Sequence, residues 1–455
     1  MNVPHKTDSI VPDFLAGMGE DLKRGLVPVR LFNNRDIHEL ELRRIFARSW
    51  VFIAHETELP NPGDFVTRPI GEDPFICVRG DDGAVHVLLN SCRHRGAQIC
   101  RAEMGNTRAF TCPFHGWSYK INGELAGVPA RRQGYRELEL SEWGLFSAPH
   151  VASYAGLIFA NLDPDAVPFE QYVGRYRWYL DIQFALSPGG MEVIGEPHRW
   201  LVDANWKQGA ENFCGDSSHT QMTHRSALEV GIIAAAAAGA PSKEHGLHVH
   251  DCDGYAISIR QNPGETLFWN YPEEVTRHFD PTRLSPAQFA LAKRSLVHNG
   301  TLFPNFSFLH LGITDNAERP PAGFLTIRTW QPKGPGRMEI WNWILTPKEA
   351  PDDYKRRAYQ VGMSSFSPSG SFEQDDVTVW PGTARSASTV FAELNNVKLN
   401  YQMGLGSMSD IAPLRDWEGP GTAVPSNAGE SGLRTFYKTW LERMTISNPI
   451  RSDAR

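Results

Sequence analysis

Two short peptides constrain this chain more than any other feature. They are Cys92-Arg93-His94 and Cys112-Pro113-Phe114-His115, seventeen residues apart. Two thiolates and two imidazoles in the order C-x-H, C-x-x-H are the ligand set of a Rieske [2Fe–2S] centre, in which His replaces Cys on one iron and raises the reduction potential. The alternative is a Cys2His2 zinc site, but such sites usually open with a C-x2–4-C pair and close with H-x3–5-H. Neither pair occurs within residues 92–115. The economical framework is a small β domain that presents both ligand loops at one tip.

At 455 residues the chain is too long for one ordinary core, so two or three domains are expected. A 41% apolar and 21% charged composition describes a globular protein. The net charge of −7 gives no electrostatic footprint for nucleic acid. The longest apolar run, from Val230 to Ala240, is far short of the roughly 20 residues of a membrane span. The first residues lack the charged and apolar regions of a signal peptide. A cytoplasmic location is therefore expected, with Cys77, Cys100, Cys214 and Cys252 as thiols rather than disulfides.

Three segments are expected: 1–40 packing on the catalytic domain, 41–163 carrying the cluster, and 164–455 as the catalytic domain. Asp36 to Trp50 has helical spacing after an Asn33-Asn34 cap. Phe65–Ile70, Phe75–Arg79 and Val85–Asn90 read as strands, with a Gly80-Asp81-Asp82-Gly83 turn between the last two, and Tyr154–Leu162 as another. Further on, Phe324–Trp330 and Met338–Leu345 form an antiparallel pair across a Pro/Gly loop. Leu433, Phe436, Tyr437, Trp440, Leu441 and Met444 make one apolar helix face. The fold class is α+β: a small β-sandwich-like domain plus a larger domain whose antiparallel sheet is covered by helices.

A second metal site is suggested by the stretch Asn205 to His224, which holds His219, His224, Glu211 and Asp216. Five residues is not the spacing that aligns two His on an ideal α-helix, so a π-bulge or a helix end is needed to converge them. A mononuclear Fe(II) oxygenase needs two His and one carboxylate on one face of the metal. The carboxylate can come from afar, and Asp375-Asp376 is a candidate that alone would read as a solvated acidic loop.

With these motifs together, C-x-H-R-G, C-P-F-H-G-W, N-W-K…E-N-x-x-x-D-x-x-H-x-x-x-x-H and E-x-D-D, the chain resembles the α subunits of Rieske non-haem iron aromatic-ring-hydroxylating dioxygenases, such as those for naphthalene, biphenyl and phenylpropionate. The resemblance spans about Pro28 to Met444. It implies that Cys92, His94, Cys112 and His115 hold the [2Fe–2S] cluster, and that His219, His224 and Asp376 hold Fe(II). Asp375 then points elsewhere, Asp216 bridges the two centres, and Asn212 lies near the iron. It also implies O2 as co-substrate and cis-dihydroxylation of an aromatic ring. Electrons come from NADH through a reductase and a ferredoxin. A small β subunit completes an α3β3 assembly.

Pocket positions implied by the resemblance are Phe213, Cys214, Ser217, Leu228, Val297, Asn299, Leu309, Phe366 and Phe372, a mostly apolar set suited to an arene. A (polycyclic) aromatic hydrocarbon is favoured over an aromatic carboxylate such as phthalate. Arg260, Arg294 and His298 are the candidates for binding a carboxylate if one is present. A Rieske monooxygenase or demethylase would share every metal ligand. A pure electron carrier would need only the cluster domain, and a scaffold with a relic cluster would tolerate a broken triad, whereas this one is whole.

Overall fold

The computed structural model describes residues 7–216, 218–232, 246–406, 412–425 and 429–446. Ser217 and most of the apolar run ending at Ala240 lie outside the described residues. Among those described, no helix is long and apolar enough to cross a membrane. All six cysteines are buried and none is in a disulfide.

The chain divides into two compact units. One is Phe46–Phe169; the other joins the described parts of Met1–Ile45 and Glu170–Arg455. The expected boundaries, after residues 40 and 163, fall a few residues short of these. The segment beyond Asp163 stays with the first unit because Trp50 Nε1 donates to Val167 O at 2.9 Å and Phe169 stacks on Phe159 at 4.6 Å. The expected helix from Asp36 is α-helical only over Arg35–Glu41 and winds as a π-turn over Leu42–Phe46. Asn34 caps it, its Oδ1 accepting from Ile37 N at 3.0 Å.

The Phe46–Phe169 unit is built of short antiparallel strands. A four-stranded sheet runs Val85–Leu89, Asp73–Arg79, Asp64–Ile70, Met104–Asn106, and a three-stranded one runs Ala109–Thr111, Ser118–Lys120, Leu125–Gly127. The Gly80–Gly83 turn closes its hairpin through Gly80 N to Ala84 O at 2.8 Å. The strand expected over Tyr154–Leu162 runs over Leu157–Asn161 and pairs with His150–Tyr154 in a hairpin turned at Ala155 and Gly156. Both turn residues have positive φ, which an uninterrupted strand excludes.

In the larger unit, nine strands among the described residues form one antiparallel sheet. Its centre is Met338–Pro347, Ala322–Pro332, Phe306–Ile313, Ser295–Leu302, Tyr255–Gln261 and Gly246–Cys252, in that order. Helix Asp352–Phe366 packs on the first two of these and helix Ser431–Thr445 on the last two. The latter buries Leu433, Phe436, Tyr437, Trp440 and Met444 of the face read from its spacing, while Leu441 is half-buried. One buried ion pair ties three distant segments: Lys207 Nζ is 2.6 Å from Glu41 Oε1, both fully enclosed, and the indoles of Trp206 and Trp440 donate to the same carboxylate.

Candidate metal centres and substrate pocket

The two cluster loops share one backbone design. In each, the Cys N–H bonds the carbonyl five residues on, Cys92 to Ala97 at 2.9 Å and Cys112 to Trp117 at 2.8 Å. In each, a Gly four residues after the Cys bonds back to the Cys carbonyl, Gly96 at 2.8 Å and Gly116 at 3.0 Å. Both glycines have φ near +70° (72° and 71°), where a side chain is disfavoured. The glycines therefore fold each motif into a tight turn that aims its Cys and His the same way.

The thiols of Cys92 and Cys112 are buried in the unit's core. The His94 and His115 rings lie 4.6 Å apart, and His94 stacks on Trp117 at 5.0 Å. His94 Nδ1 is buried without a hydrogen-bond partner, as a ring nitrogen awaiting a metal would be. Tyr119 Oη lies 3.3 Å from Cys92 Sγ and accepts from Arg93 N at 3.1 Å. This donor set, two thiols and two imidazoles on paired rigid loops, fits a [2Fe–2S] cluster.

The second site begins on helix Trp206–Asn212. Asn205 caps it, accepting from Lys207 N at 3.0 Å while Gln208 Oε1 accepts from Asn205 N at 3.2 Å. Gly209 permits the helix to lie against the sheet, since a Cβ there would meet the Trp330 ring at 2.2 Å. The chain then turns at Phe213 and enters a single short helix, Thr220–Thr223. His219 precedes that helix and His224 breaks it (φ −98°, ψ 26°) before Arg225–Glu229. Of the two ways to converge residues five apart, the chain uses helix ends rather than a π-bulge.

The result is a cluster of three. Asp376 Oδ1, on helix Ser371–Val379, lies 3.6 Å from His224 Nε2 and 3.9 Å from His219 Nε2. Asp376 and His224 are buried and His219 is partly so. Ligand atoms of these three, all within 4.8 Å of one another, suit a single metal ion. Burial pushes the Asp376 carboxyl up to about 7, against the pull of His219. Burial, with His219 beside it, holds His224 down at about 4, so its ring is neutral and able to ligate. A dication among them would relieve the cost of the enclosed carboxylate. Two imidazoles and one carboxylate are the donor set of a facial Fe(II) site.

Behind the trio stand two more carboxylates. Asp216 Oδ1 is 3.6 Å from His219 Nδ1, slightly beyond direct hydrogen-bond length, and accepts from Ser218 Oγ at 3.2 Å. Burial opposes the charge on His219, but Asp216 and Asp376 outweigh it and raise the pKa. Asp375 stands outside the trio, its Oδ2 3.2 Å from His224 Nδ1.

The trio opens onto a cleft. Of the expected pocket residues, Phe213, Val297, Asn299, Leu309, Phe366 and Phe372 line it, as do Asn212 and Asp216. Cys214 and Leu228 are not among its described lining residues. The Cys214 thiol turns back into its own helix, 3.4 Å from Ala210 O, and burial pushes it up to about 12. Ser217 lies outside the described residues. Thr220, Arg260, Leu311, Gly312, Ile313 and Arg328 also line the cleft. Strand alternation from Leu309 would have found Leu311 and Ile313.

The chain matches the Rieske [2Fe-2S] domain family over residues 49–154 and the ring hydroxylating alpha subunit (catalytic domain) family over residues 169–446. It is 37% identical to the N,N-dimethyl phenylurea N-demethylase subunit alpha of Sphingobium sp. (strain YBL2), covering 100% of this chain and 98% of that one. It is 34% identical to the biphenyl dioxygenase subunit alpha of Paraburkholderia xenovorans (strain LB400), covering 95% and 94%. Naphthalene 1,2-dioxygenase from Rhodococcus sp., solved with indole bound, superposes with a TM-score of 0.90 at 40% identity, covering 96% of this chain and 99% of that one.

The chain belongs to the ring-hydroxylating oxygenase α-subunit family. It is an oxidoreductase of the aromatic ring-hydroxylating dioxygenase type, with a Rieske [2Fe–2S] cluster and a mononuclear iron as its cofactors.

Proposed function

We propose that this α subunit adds both atoms of O2 to one face of an aromatic ring, consuming two electrons and two protons and giving a cis-dihydrodiol. One observation carries the reading: the His219–His224–Asp376 trio opens onto a cleft walled by Phe213, Val297, Leu309, Phe366 and Phe372. Cys92, His94, Cys112 and His115 hold the cluster, and His219, His224 and Asp376 hold the Fe(II). When bound, the two centres store electrons singly and activate O2 beside the substrate.

The chain's own residues position and shield. Phe366 and Phe372, stacked at 5.2 Å, offer a flat apolar wall to the ring and exclude water. Asp216 and Asp375 orient the two imidazoles from behind. In an α3β3 assembly with a small β subunit, Asp216 accepts a hydrogen bond from His115 of the partner subunit, which links one protomer's cluster to the next protomer's iron site. A separate ferredoxin and an NADH-dependent reductase supply electrons, consistent with the lack of a G-x-G-x-x-G motif after a strand. The assembly works in the cytoplasm.

A second reading, oxidative N-demethylation, is favoured by the end-to-end similarity to the phenylurea N-demethylase subunit. The deciding experiment supplies the chain, a β subunit and electron donors with naphthalene, biphenyl, phthalate and an N,N-dimethyl phenylurea. A cis-dihydrodiol from an arene is the expected product. Formaldehyde release from the urea, with no diol from any arene, would replace the first reading by the second.

A further inference from the structure

We propose that Arg328 is a positioning residue for the oxygenation: one guanidinium ties together the ends of three helices and so fixes where the substrate ring lies relative to His219, His224 and Asp376. This rests on the arene oxygenation proposed above.

Two guanidiniums line the cleft, Arg260 and Arg328. Arg260 pairs across the strands with Val297, which pairs with Leu311, and its Nη2 donates at 3.2 Å to Oγ1 of Thr220, the residue after His219. Arg328 stands on the strand Ala322–Pro332, on which helices Trp206–Asn212 and Asp352–Phe366 both pack. Its Nη1 donates to Glu373 Oε2 at 2.5 Å, and both side chains are 1% exposed. Its guanidinium carbon lies 5.2 Å from the centre of the Phe366 ring, 5.5 Å from that of Phe213 and 5.7 Å from that of Trp330.

Each of these contacts holds a different part of the site. Phe213 ends the helix that carries Asn212 and begins the turn toward Asp216 and His219. Phe366 is the last residue of its helix and a wall of the cleft. Glu373 lies in the first turn of helix Ser371–Val379. Residues three and four apart are neighbours on a helix, so Phe372, Glu373 and Asp376 share one face. Fixing Glu373 to the sheet therefore fixes both a cleft wall and the carboxylate of the trio. Displacement by about 1 Å at such a site is enough to cost activity heavily.

Stability alone does not account for the pair. Arg328 Nε and Nη2 are enclosed without a hydrogen-bond partner. Buried donors are ordinarily satisfied, and apolar side chains of like volume often replace a buried ion pair without loss. What such side chains lack is a planar cation that lies against aromatic rings while its edge donates to a carboxylate.

The test compares the assembled, iron-loaded wild type with Arg328→Lys and with the double variant Arg328→Met/Glu373→Leu. It measures Fe(II) affinity after chelator stripping, the EPR signal of nitric oxide on the mononuclear iron with and without phenanthrene, and the ratio of regioisomeric diols from phenanthrene. The double variant strands no charge and should keep the wild-type melting temperature and cluster spectrum. Its Fe(II) affinity should fall at least about tenfold, and its EPR signal and diol ratio should both shift. Arg328→Lys keeps a donor to Glu373 but loses the plane, so it should hold iron as the wild type does while the diol ratio and the phenanthrene-bound EPR signal still shift. Wild-type affinity, EPR signal and diol ratio in the double variant would overturn the inference. If the double variant does not fold, an unchanged diol ratio and EPR signal in Arg328→Lys would overturn it. If the wild type makes no diol, the arene reading fails, and the iron affinities and EPR signals still judge Arg328.

Discussion

Adjacent residues Asp375 and Asp376 grip opposite nitrogens of one ring, His224: Asp375 Oδ2 lies 3.2 Å from Nδ1 and Asp376 Oδ1 lies 3.6 Å from Nε2. One helical turn thus places one carboxylate in the candidate metal trio and another behind the neighbouring imidazole. A hydrogen bond to Nδ1 fixes the tautomer that leaves Nε2 able to bind metal.

Asp376→Ala should abolish mononuclear iron binding and activity while sparing the cluster's visible spectrum. Asp375→Ala should retain iron but bind it about 10- to 100-fold more weakly. Iron titration of the two chelator-stripped variants separates them. Loss of iron in Asp375→Ala with retention in Asp376→Ala would invert the assignment.

Asp216→Asn should keep both metals and lose most turnover. The carboxylate sits behind His219 rather than in the trio, so its change alters a link and not a ligand. Metal analysis with steady-state rates checks this. Near-normal turnover at full metal content would show that Asp216 is dispensable.

Glu41→Ala should destabilise the larger unit by about 3–5 kcal/mol, because it strands the enclosed Lys207 ammonium and removes the acceptor of two buried indoles. Denaturant unfolding measures the loss. The double variant Glu41→Leu/Lys207→Met should recover much of it, since the orphaned charge is gone.

The two cluster motifs and most of the strands were legible in the sequence because their signals are local, whereas Asp376, far from His219 and His224 in the chain, was reached only through the resemblance. A Gly four residues after each cluster Cys, or a Gly between apolar runs, acts where it stands. The cleft was only partly legible because its walls depend on strand register and helix rotation. Arg260, Arg294 and His298 looked equivalent as charged residues near β runs. Only the row Arg260–Val297–Leu311 shows which one faces the trio. Cys214 sits beside Phe213 in sequence, yet its thiol folds back onto Ala210. The π-turn at Leu42–Phe46 keeps the same apolar spacing as an α-helix over so short a span, so periodicity could not reveal it.

Phe366→Val should widen the cleft and change which edge of a multi-ring substrate is oxidised, with both metal centres intact. Phe366 lines the cleft, stacked on Phe372 and 5.2 Å from the Arg328 guanidinium. The ratio of regioisomeric diols from phenanthrene reports the effect. An unchanged ratio at retained activity would place Phe366 away from the ring.

The central claim, that the His219–His224–Asp376 site dihydroxylates an arene, is tested most directly by turnover under ¹⁸O2 with mass analysis of the product. The account predicts a diol carrying two ¹⁸O atoms from a single O2, formed by the wild type and not by His219→Ala. Products carrying a single ¹⁸O, or unlabelled diols, would contradict it.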